Sequence, residues 1–337
     1  MIRVALDAMG GDSAPRTEIA GMVQALKELP DGFLIQLVGR TGAIEAELAQ
    51  HPGLDPARVE LHEAPDVIGM SEKPLQAVRK KPKSSLVVGL GLQRDGRSDA
   101  FISAGNTGAM LAGSTMLLGL HDGVDRATVA TLFPTGSEPV LVLDGGANLD
   151  CSPRELLGFA YLGTVYMRDL MGRPNPVVGL LNIGEEEEKG TAIVRQAHQL
   201  LKQAPRINYA GNIEGRDILP GPQQRIPVDV VVCDGFVGNV VLKFYESSAR
   251  VFVGLLKERI PDVFDRPEMA DLNRILDYST YGGAPLLGVK GVSIVGHGAS
   301  SPNAIKNAIR VAVQAARAGL SQHIGAEFAQ RQAAAPA

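Results

Sequence analysis

The chain alternates between short apolar runs and longer stretches with helical periodicity, and the same kind of turn separates them. Each apolar run ends in a small polar loop of Gly, Asn and Asp, and a helical pattern follows. These turns recur at residues 4–12, 100–110, 140–153, 178–191, 207–217, 230–243 and 292–303. Alternating strand and helix signals are typical of α/β proteins, so we predict a mostly parallel sheet covered by helices on both faces. Because loops at the carboxyl ends of parallel strands bind small ligands and anions, the pattern also predicts an elaborate polar crevice.

Capping residues mark the start of several helices. Ser152-Pro153-Arg154-Glu155 has the order of a capping box, and Ser301-Pro302 opens another helix. We interpret residues 1–325 as a single two-lobed α/β domain. Residues 326–337 end in a run rich in Ala, Gln and Pro, which predicts a disordered tail.

Composition narrows the class of protein. The chain has 337 residues, of which 45% are hydrophobic, and this is enough to bury one large core or two smaller ones. A net charge of −4 and the absence of Trp argue against a nucleic-acid partner. The two cysteines, Cys151 and Cys233, end apolar runs, and we interpret them as buried reduced thiols.

The start of the chain does not resemble a signal peptide, because Arg3 and Asp7 interrupt it. The apolar runs are shorter than the ~18–20 residues that a membrane-spanning helix needs. We therefore predict a cytoplasmic protein, with peripheral association to the inner face of the membrane left open.

Motifs for several common chemistries are missing from the sequence. There is no G-x-x-x-x-G-K-[ST] loop for a nucleotide phosphate, no zinc-spaced Cys/His cluster and no G-x-S-x-G elbow. Gly89-Leu90-Gly91 begins a dinucleotide-binding fingerprint, but Arg94 stands where its third glycine belongs. The sequence thus predicts neither a metal nor a cofactor.

The turns share a polar chemistry that suits an uncharged or anionic ligand. Seven polar residues lie at the ends of the predicted strands or just after them. Five are asparagines and two are aspartates: Asn106, Asn148, Asn182, Asn212, Asn239, Asp144 and Asp234. Amides donate and accept hydrogen bonds, while helix N-termini favour an anion. Taken singly, each residue is more often an ordinary turn or cap residue. Five asparagines on one predicted rim favour a ligand site.

Cations for an anionic substrate are fewer. Lys189 follows four glutamates between a strand and a helix, and Lys243 lies in the helix after the turn at 234–239. The run Arg79-Lys80-Lys81-Pro82-Lys83 lies outside the predicted crevice. Such a run is usually a solvated face, although it also suits docking of an acidic partner.

The motifs DAMGGDSAP, SAGNTGAM, DGGANLDC, LLNIGEEEEKG, GNIEGRD, CDGFVGN and GHGAS occur in this order along residues 1–325. In this the chain resembles the bacterial phosphate acyltransferases of the PlsX type. The resemblance implies transfer of a fatty acyl group from acyl carrier protein to inorganic phosphate, giving acyl phosphate for phosphatidic acid and phospholipid synthesis. It also implies a homodimer without metal or nucleotide, and a fold similar to phosphate acetyltransferase and the isocitrate/isopropylmalate dehydrogenases.

The resemblance also suggests roles for particular residues. Phosphate is the expected nucleophile, and we expect Lys189, Asn239 and the backbone of Gly105–Gly108 to hold it. Asn148 or His297 is expected to face the thioester oxygen. Asp234 is expected to orient Lys189 or Asn239. Further substrate contacts are predicted at Ser103, Gly105, Asn106, Thr107, Gly108, Asn182, Asn212 and Lys243. Val237 departs from the family pattern, which has Thr in this motif, so no hydroxyl is assigned there.

Residues 245–280 interleave apolar and basic positions around Pro261 and Pro267, which predicts a projecting helical hairpin. Two interpretations stay open: a core or dimer-interface hairpin, and an amphipathic surface that lies on anionic lipid.

Partners and alternatives follow from the same resemblance. Acyl carrier protein is the expected donor, docked by Arg79, Lys80, Lys81 and Lys83, and a downstream glycerol-3-phosphate acyltransferase is a possible partner. An acyl-coenzyme A-dependent enzyme of the phosphate acetyltransferase type is the alternative activity. A non-catalytic membrane scaffold is the alternative from another functional class.

Overall fold

A computed structural model describes residues 1–135, 138–219, 227–266, 268–269 and 282–334. The chain divides into two compact units, which we describe separately. Unit 1 comprises Met1–Ala127 and Tyr281–Ala337, and unit 2 comprises Thr128–Thr280.

The described strands are short and follow one another along the whole chain. They are β1 (Ile2–Asp7), β2 (Phe33–Gly39), β3 (Val59–Glu63), β4 (Ala100–Ser103), β5 (Thr128–Val129), β6 (Thr131–Phe133), β7 (Val140–Leu143), β8 (Val177–Leu181), β9 (Asn208–Ile213), β10 (Val230–Val232), β11 (Ala284–Leu287) and β12 (Ser293–Val295).

The described α-helices lie between the strands, as the sequence pattern predicts. They are α1 (Arg16–Glu28), α2 (Thr41–Leu48), α3 (Pro74–Lys80), α4 (Ser85–Arg94), α5 (Thr107–Leu117), α6 (Pro153–Met171), α7 (Ala192–Lys202), α8 (Gly235–Arg259), α9 (Pro302–Arg317) and α10 (Leu320–Ala334). Single 3-10 turns cover Pro56–Arg58, Gly215–Asp217 and Pro261–Asp265.

In unit 1 the strands lie in the order β3-β2-β1-β4-β12-β11. All neighbours are parallel except β11 and β12. Leu6 pairs with Ile102 and Ser103 pairs with Val295. Asp7, Ser103 and Val295 therefore lie side by side at the carboxyl edge, where the next loops begin.

Helices cover both faces of the unit 1 sheet because successive strand residues point to opposite sides. On one face Phe101 packs against α4, so closely that a Cβ on Gly89 would collide with its ring. On the other face α1 packs against α9, where Gly21 lies against the Ile305 side chain. Two glycines thus allow helix contacts that an alanine would obstruct.

In unit 2 the strands lie in the order β6-β7-β10-β8-β9, and only β6 and β7 pair antiparallel. Helix α6 packs on one face, where Gly163 lies against Val230 and Leu143. Helix α8 packs on the other through Val241 and Tyr245, in a cluster with Phe133, Val140, Val142 and Val231. Both units have helices on both faces of a mostly parallel sheet, which confirms the predicted fold class.

The predicted helix caps are present. Ser152 and Glu155 form a reciprocal capping box at the start of α6, and the Ser301 hydroxyl accepts a hydrogen bond from the Ala304 N–H at the start of α9. Cys151 and Cys233 are free and buried, as predicted.

The predicted tail needs correction. Helix α10 continues to Ala334, and Phe328 within it is 1% exposed, so residues 326–334 are helical. The helix persists because its apolar residues are buried on unit 1, which the Ala/Gln-rich composition did not reveal. Residues 335–337 lie outside the described residues.

The predicted hairpin at 245–280 is described only in its first part. Helix α8 runs to Arg259 and the 3-10 turn Pro261–Asp265 follows, whereas most of residues 267–280 lie outside the described residues. None of the helices in the described part of the chain is both long and apolar enough to span a membrane.

Candidate functional site

A buried carboxylate organises the turns at the carboxyl edge of unit 1. The Ser103 hydroxyl donates to Asp7 Oδ2 at 2.7 Å, and the Gly105 N–H donates to Ser103 Oγ at 3.1 Å. The Gly10 backbone approaches this group so closely that a Cβ there would lie 2.8 Å from the Gly105 nitrogen. Glycine at position 10 is therefore what allows the first turn to reach the turn after β4.

Asn106 holds the start of α5 and a neighbouring loop together. Its Oδ1 accepts from the Ala109 N–H, which caps the helix, and its Nδ2 lies 3.1–3.2 Å from the carbonyl oxygens of Gly69, Met70 and Glu72. The side chain is 7% exposed and its polar atoms are occupied by the protein itself. What the structure shows for Asn106 is therefore a positioning role.

The rest of the SAGNTG turn (residues 103–108) is more open. Thr107 is exposed, and Gly108 packs against the Pro74 ring. With Gly105, these residues form the N-terminal end of α5, where backbone N–H groups and the helix dipole favour an anion. The predicted phosphate contact of Gly105–Gly108 is thus placed at a helix N-terminus.

His297 lies in the loop after β12 and is exposed. Its Nδ1 accepts a hydrogen bond from the Ala299 N–H at 3.2 Å, so the neutral ring carries its proton on Nε2. The same loop is joined to the first turn, because Asp12 N–H donates to the Gly298 carbonyl at 2.8 Å. His297 can therefore offer an Nε2–H donor at the edge formed by β1, β4 and β12.

Two buried carboxyl groups beside this edge were not among the predicted site residues. Burial raises the pKa of Asp7, although hydrogen bonds from Ser85, Ser103 and the Met9 N–H oppose the rise. Burial also raises the pKa of Glu18 to about 7, with further contributions from the charges of Asp7 and Asp12. In the sequence, Asp7 could have been recognised as a candidate site residue because it ends the first strand. Glu18 could not, because it looks like an ordinary acidic residue in the first turn of a helix.

In unit 2, Asp144 is fully buried at the end of β7 and is surrounded by N–H donors. Its Oδ1 accepts from the backbone of Val129, Gly146 and Ala147, and its Oδ2 accepts from the backbone and the side chain of Asn148. Asn148 Nδ2 thus donates to Asp144 at 2.8 Å. This contact makes Asn148 a residue that shapes the turn, whereas its predicted contact with a thioester oxygen stays a prediction.

The first turn of α8 packs against this Asp144–Asn148 turn. A Cβ on Gly238 would collide with the Asp144 carbonyl oxygen, and one on Gly235 would lie 2.9 Å from Asp144 Oδ2. The Gly235 N–H donates to the Asn148 carbonyl at 2.7 Å. Gly235 and Gly238 are therefore required for the packing, and only the tertiary contact reveals this.

Asp234 and Asn239 flank the two glycines. Asp234 Oδ1 caps α8 by accepting from the Val237 N–H at 2.8 Å, and its predicted role of orienting Lys189 or Asn239 stays a prediction. Asn239 is exposed, and its side chain lies over Gly146, which has a φ of +125°. Asn239 keeps an accessible amide beside the turn.

The loop between β8 and α7 is held by two asparagines. Asn182 Nδ2 donates to the Lys189 carbonyl at 3.1 Å, and Asn212 Nδ2 donates to the Glu186 carbonyl at 3.0 Å. These contacts fix the loop that presents Lys189, whose side chain is exposed. The described residues provide no ion-pair partner for the Lys189 ammonium.

Two other predicted cations, Lys243 and Lys81, are already paired with carboxylates of the protein. Lys243 is paired with Glu246 at 3.0 Å on the surface of α8. Lys81 is also engaged, since its ammonium lies 2.6 Å from Glu72 Oε1 and 2.8 Å from the Val67 carbonyl. Its role in the structure is to fix the loop before α3, which the charge run did not predict.

Covalent catalysis by a thiol has little support. Burial raises the pKa of Cys151 to about 12 and raises that of Cys233 further, and nearby Asp144 and Asp234 carboxylates add to both shifts. A thiol is a nucleophile only as its thiolate. Among the described residues, no three His, Cys, Asp or Glu side chains are grouped to hold a metal ion.

Comparison with known proteins identifies the family. Residues 2–323 match the family described as "Fatty acid synthesis protein". The chain is 46% identical over 329 residues to a phosphate acyltransferase of Desulforamulus reducens, covering 95% of both chains. It is 45% identical over 335 residues to that of Heliobacterium modesticaldum, covering 96% of this chain and 98% of the relative. The chain belongs to this phosphate acyltransferase family. It is therefore an acyltransferase.

Solved structures with the same fold include phosphotransacetylases. The chain resembles a phosphotransacetylase from Streptococcus pyogenes with a TM-score of 0.63, at 15% identity and 94% coverage of both chains. It resembles the EutD phosphotransacetylase from Staphylococcus aureus with a TM-score of 0.59, at the same identity and coverage. At this identity the likeness shows the fold alone, and it agrees with the fold that the resemblance implied.

The close approach of α8 to the Asp144 turn gives a test of the unit 2 site. Gly238→Ala should destabilise the protein by about 2 kcal/mol in urea denaturation, because the new methyl group meets the Asp144 carbonyl oxygen. Gly254→Ala is the matched control on the same helix, because a Cβ there meets nothing within 4 Å. The control should be stabilised by roughly 0.5–1 kcal/mol through better helix propensity. Equal stability of the two variants would show that the turn tolerates a side chain at position 238.

Proposed function

We propose that this acyltransferase moves a fatty acyl group from acyl carrier protein to inorganic phosphate and so supplies acyl phosphate for phosphatidic acid and phospholipid synthesis. The observation that carries the proposal is the chemistry of the turns. Both units place capped helix N-termini and exposed donors at the carboxyl edge of a parallel sheet, and the two buried cysteines are poor nucleophiles. Such a site favours an external anionic nucleophile.

The reaction needs no covalent intermediate with the protein. A phosphate oxygen attacks the thioester carbonyl carbon, a new C–O bond forms, and the C–S bond breaks as the tetrahedral oxyanion collapses. The sulfur leaves as a thiolate and takes up a proton, since an ordinary thiol has a pKa near ~8.5. Positioning of phosphate and hydrogen bonds to the oxyanion then supply the catalysis.

Within this mechanism the described residues have distinct tasks. The N-terminal end of α5, with Thr107 and Gly108, offers backbone donors to phosphate. The ammonium of Lys189, which has no ion-pair partner among the described residues, offers a positive charge. We propose that the Nε2–H of His297 donates to the oxyanion. Substrate contacts of Asn239, Asn148, Ser103, Asn182, Asn212 and Lys243 stay predictions.

A basic surface supports a carrier protein as the donor. Arg79, Lys80 and Lys83 are exposed at the end of α3 and after it, and no described residue forms an ion pair with them. Leu75 on the same helix is 47% exposed, which adds an apolar contact. Helix α3 packs against α5, and Asn106 ties the loop before α3 to the start of α5. An acidic carrier bound here would lie next to the proposed phosphate turn.

The exposed surface of α8 is the basis for proposing contacts with a second copy and with lipid. Its exposed apolar residues follow helical spacing at Phe236, Val240, Phe244, Val251, Phe252 and Leu255. The outer half also carries exposed Arg250, Lys257 and Arg259, a pattern that suits an anionic lipid surface. We propose that the inner half of α8, near Phe244, forms a homodimer contact. We also propose that the protein is cytoplasmic and that the outer half of α8 binds the inner face of the membrane.

Donor identity is tested by phosphate-dependent release of the carrier thiol. We expect acyl carrier protein to be the better donor, and Arg79→Glu/Lys80→Glu/Lys83→Glu to raise its KM about tenfold or more at low salt, because like charges then repel the acidic carrier. Use of acyl-coenzyme A should be unchanged. Lys80→Glu and Lys27→Glu are a matched pair of single substitutions at exposed lysines. Only Lys80→Glu should raise the KM for acyl carrier protein. Equal kcat/KM values for both donors would favour the acyl-coenzyme A alternative.

Lys189→Ala should lower kcat/KM for phosphate by roughly 100-fold, because the substitution removes a positive charge that stabilises the bound phosphate and the developing oxyanion. Initial rates at varied phosphate concentration measure the change. Lys27→Ala, another exposed lysine, serves as the control and should behave as wild type. Wild-type kinetics in Lys189→Ala would remove this residue from the site.

The two halves of α8 are tested with a pair of charge insertions. Phe252→Asp should lower binding to vesicles that contain anionic lipid by about tenfold and leave the dimer mass unchanged, because it disrupts only the outer half. Phe244→Asp should reduce the dimer mass in sedimentation equilibrium and leave lipid binding of the outer half intact. Unchanged vesicle sedimentation of Phe252→Asp would contradict the lipid contact, and an unchanged dimer mass of Phe244→Asp would contradict the dimer contact.

A further inference from the structure

Glu18 occupies an unusual environment for a carboxyl group in the first turn of a helix. It is 1% exposed, and its Oε2 is buried without a hydrogen-bond partner among the described residues. The mechanism above makes no use of it. A buried carboxylate oxygen without a donor is costly, so the neutral acid is the favoured form.

The neighbours of Glu18 strengthen that preference. The charged groups that act on it are Asp7 at the end of β1 and Asp12 in the following loop, and both are carboxylates. Helix α9 packs against α1, but its Lys306 is paired at 2.7 Å with Glu28, in the last turn of α1. Burial is the largest cause that raises the pKa of Glu18 to about 7, and N–H groups of Glu18 itself and Gly11 only partly oppose it.

Glu18 also shapes the first turn. Its Oε1 lies against Gly11 so closely that a Cβ at that position would collide with it. The adjacent Gly10 lies against the Gly105 nitrogen, and Asp12 is bonded to the Gly298 carbonyl. The carboxyl group of Glu18 therefore supports the loop that abuts the proposed phosphate turn.

We propose that Glu18 is a positioning residue whose neutral carboxylic acid holds the Gly10–Asp12 loop beside Gly105, and that its ionisation weakens phosphate binding at that turn. The second part rests on the proposed use of Gly105–Gly108 by phosphate. An added charge beside Asp7 and Asp12 would repel the anion and disturb the loop. The expected consequence is a phosphate site that weakens as the pH rises through neutrality.

The first test compares wild type with Glu18→Gln, which mimics the neutral acid. From pH 6 to pH 8.5 the ratio of the phosphate KM of wild type to that of Glu18→Gln should rise about fivefold, while the kcat ratio stays constant. The ratio is the readout because phosphate itself changes charge near neutral pH. Glu28→Gln, at the exposed end of the same helix, is the control and should keep the wild-type pH dependence. A pH-independent ratio overturns the proposal.

The second test does not depend on activity. Because the pKa of Glu18 is raised on folding from 4.5 to about 7, the unfolded chain loses this proton first, and the folded state loses relative stability between these pH values. The urea midpoint of wild type should therefore fall relative to Glu18→Gln from pH 5 to pH 7 and then stay level. A constant difference overturns the neutral acid. If Glu18→Gln does not fold, Glu18→Met provides a second neutral side chain for both tests.

The outcomes separate this inference from the proposed function. Absence of phosphate-dependent thiol release by wild type would overturn the proposed function and the phosphate part of the inference, whereas the urea midpoints would still decide whether Glu18 holds a proton. Release by wild type with identical pH profiles for Glu18→Gln would overturn the inference and leave the function intact.

Discussion

The hydrogen bonds around the buried Asp144 carboxylate determine the geometry of the unit 2 site. A carboxylate removed from water is tolerated only if donors surround it, and the turn that follows β7 supplies them from its own backbone and from Asn148. The carbonyl groups of Asp144 and Asn148 face the first turn of α8, which packs directly against them. Gly235 and Gly238 allow that approach, so the position of Asn239 depends on the carboxylate below it.

Unit 1 uses the same device with fewer donors. Asp7 receives hydrogen bonds from Ser103 and the Met9 N–H, and the nearby Glu18 has one oxygen without a partner. Glu18 therefore resists ionisation more than an exposed glutamate does, because burial disfavours its charged form and raises its pKa to about 7. The two turns therefore differ in the number of donors around the buried carboxyl group, and an anion at the unit 1 turn would meet less negative charge while Glu18 is protonated than after it ionises.

The asparagines of the turns show how far residue type predicts a role. The alternating pattern predicts their places at strand ends and helix starts, and it predicts that all five form a polar rim. Asn106, Asn148, Asn182 and Asn212 hold loops through their own amides, while Asn239 stays exposed. An amide that fixes a loop and an amide that meets a substrate look identical in a sequence, because the difference lies in which atoms are within 3.2 Å.

The sequence by itself determined the fold class, the helix caps and the family, since these follow from local periodicity, local capping and ordered motifs. The tertiary structure decided which groups are occupied and which are free. Lys81 is bound to Glu72 while Lys80 is exposed, the helix persists through Phe328, and Glu18 is buried against Gly11. Each of these depends on contacts between segments distant in the chain, and such contacts set burial, pairing and the pKa of a carboxyl group in ways that no local pattern records.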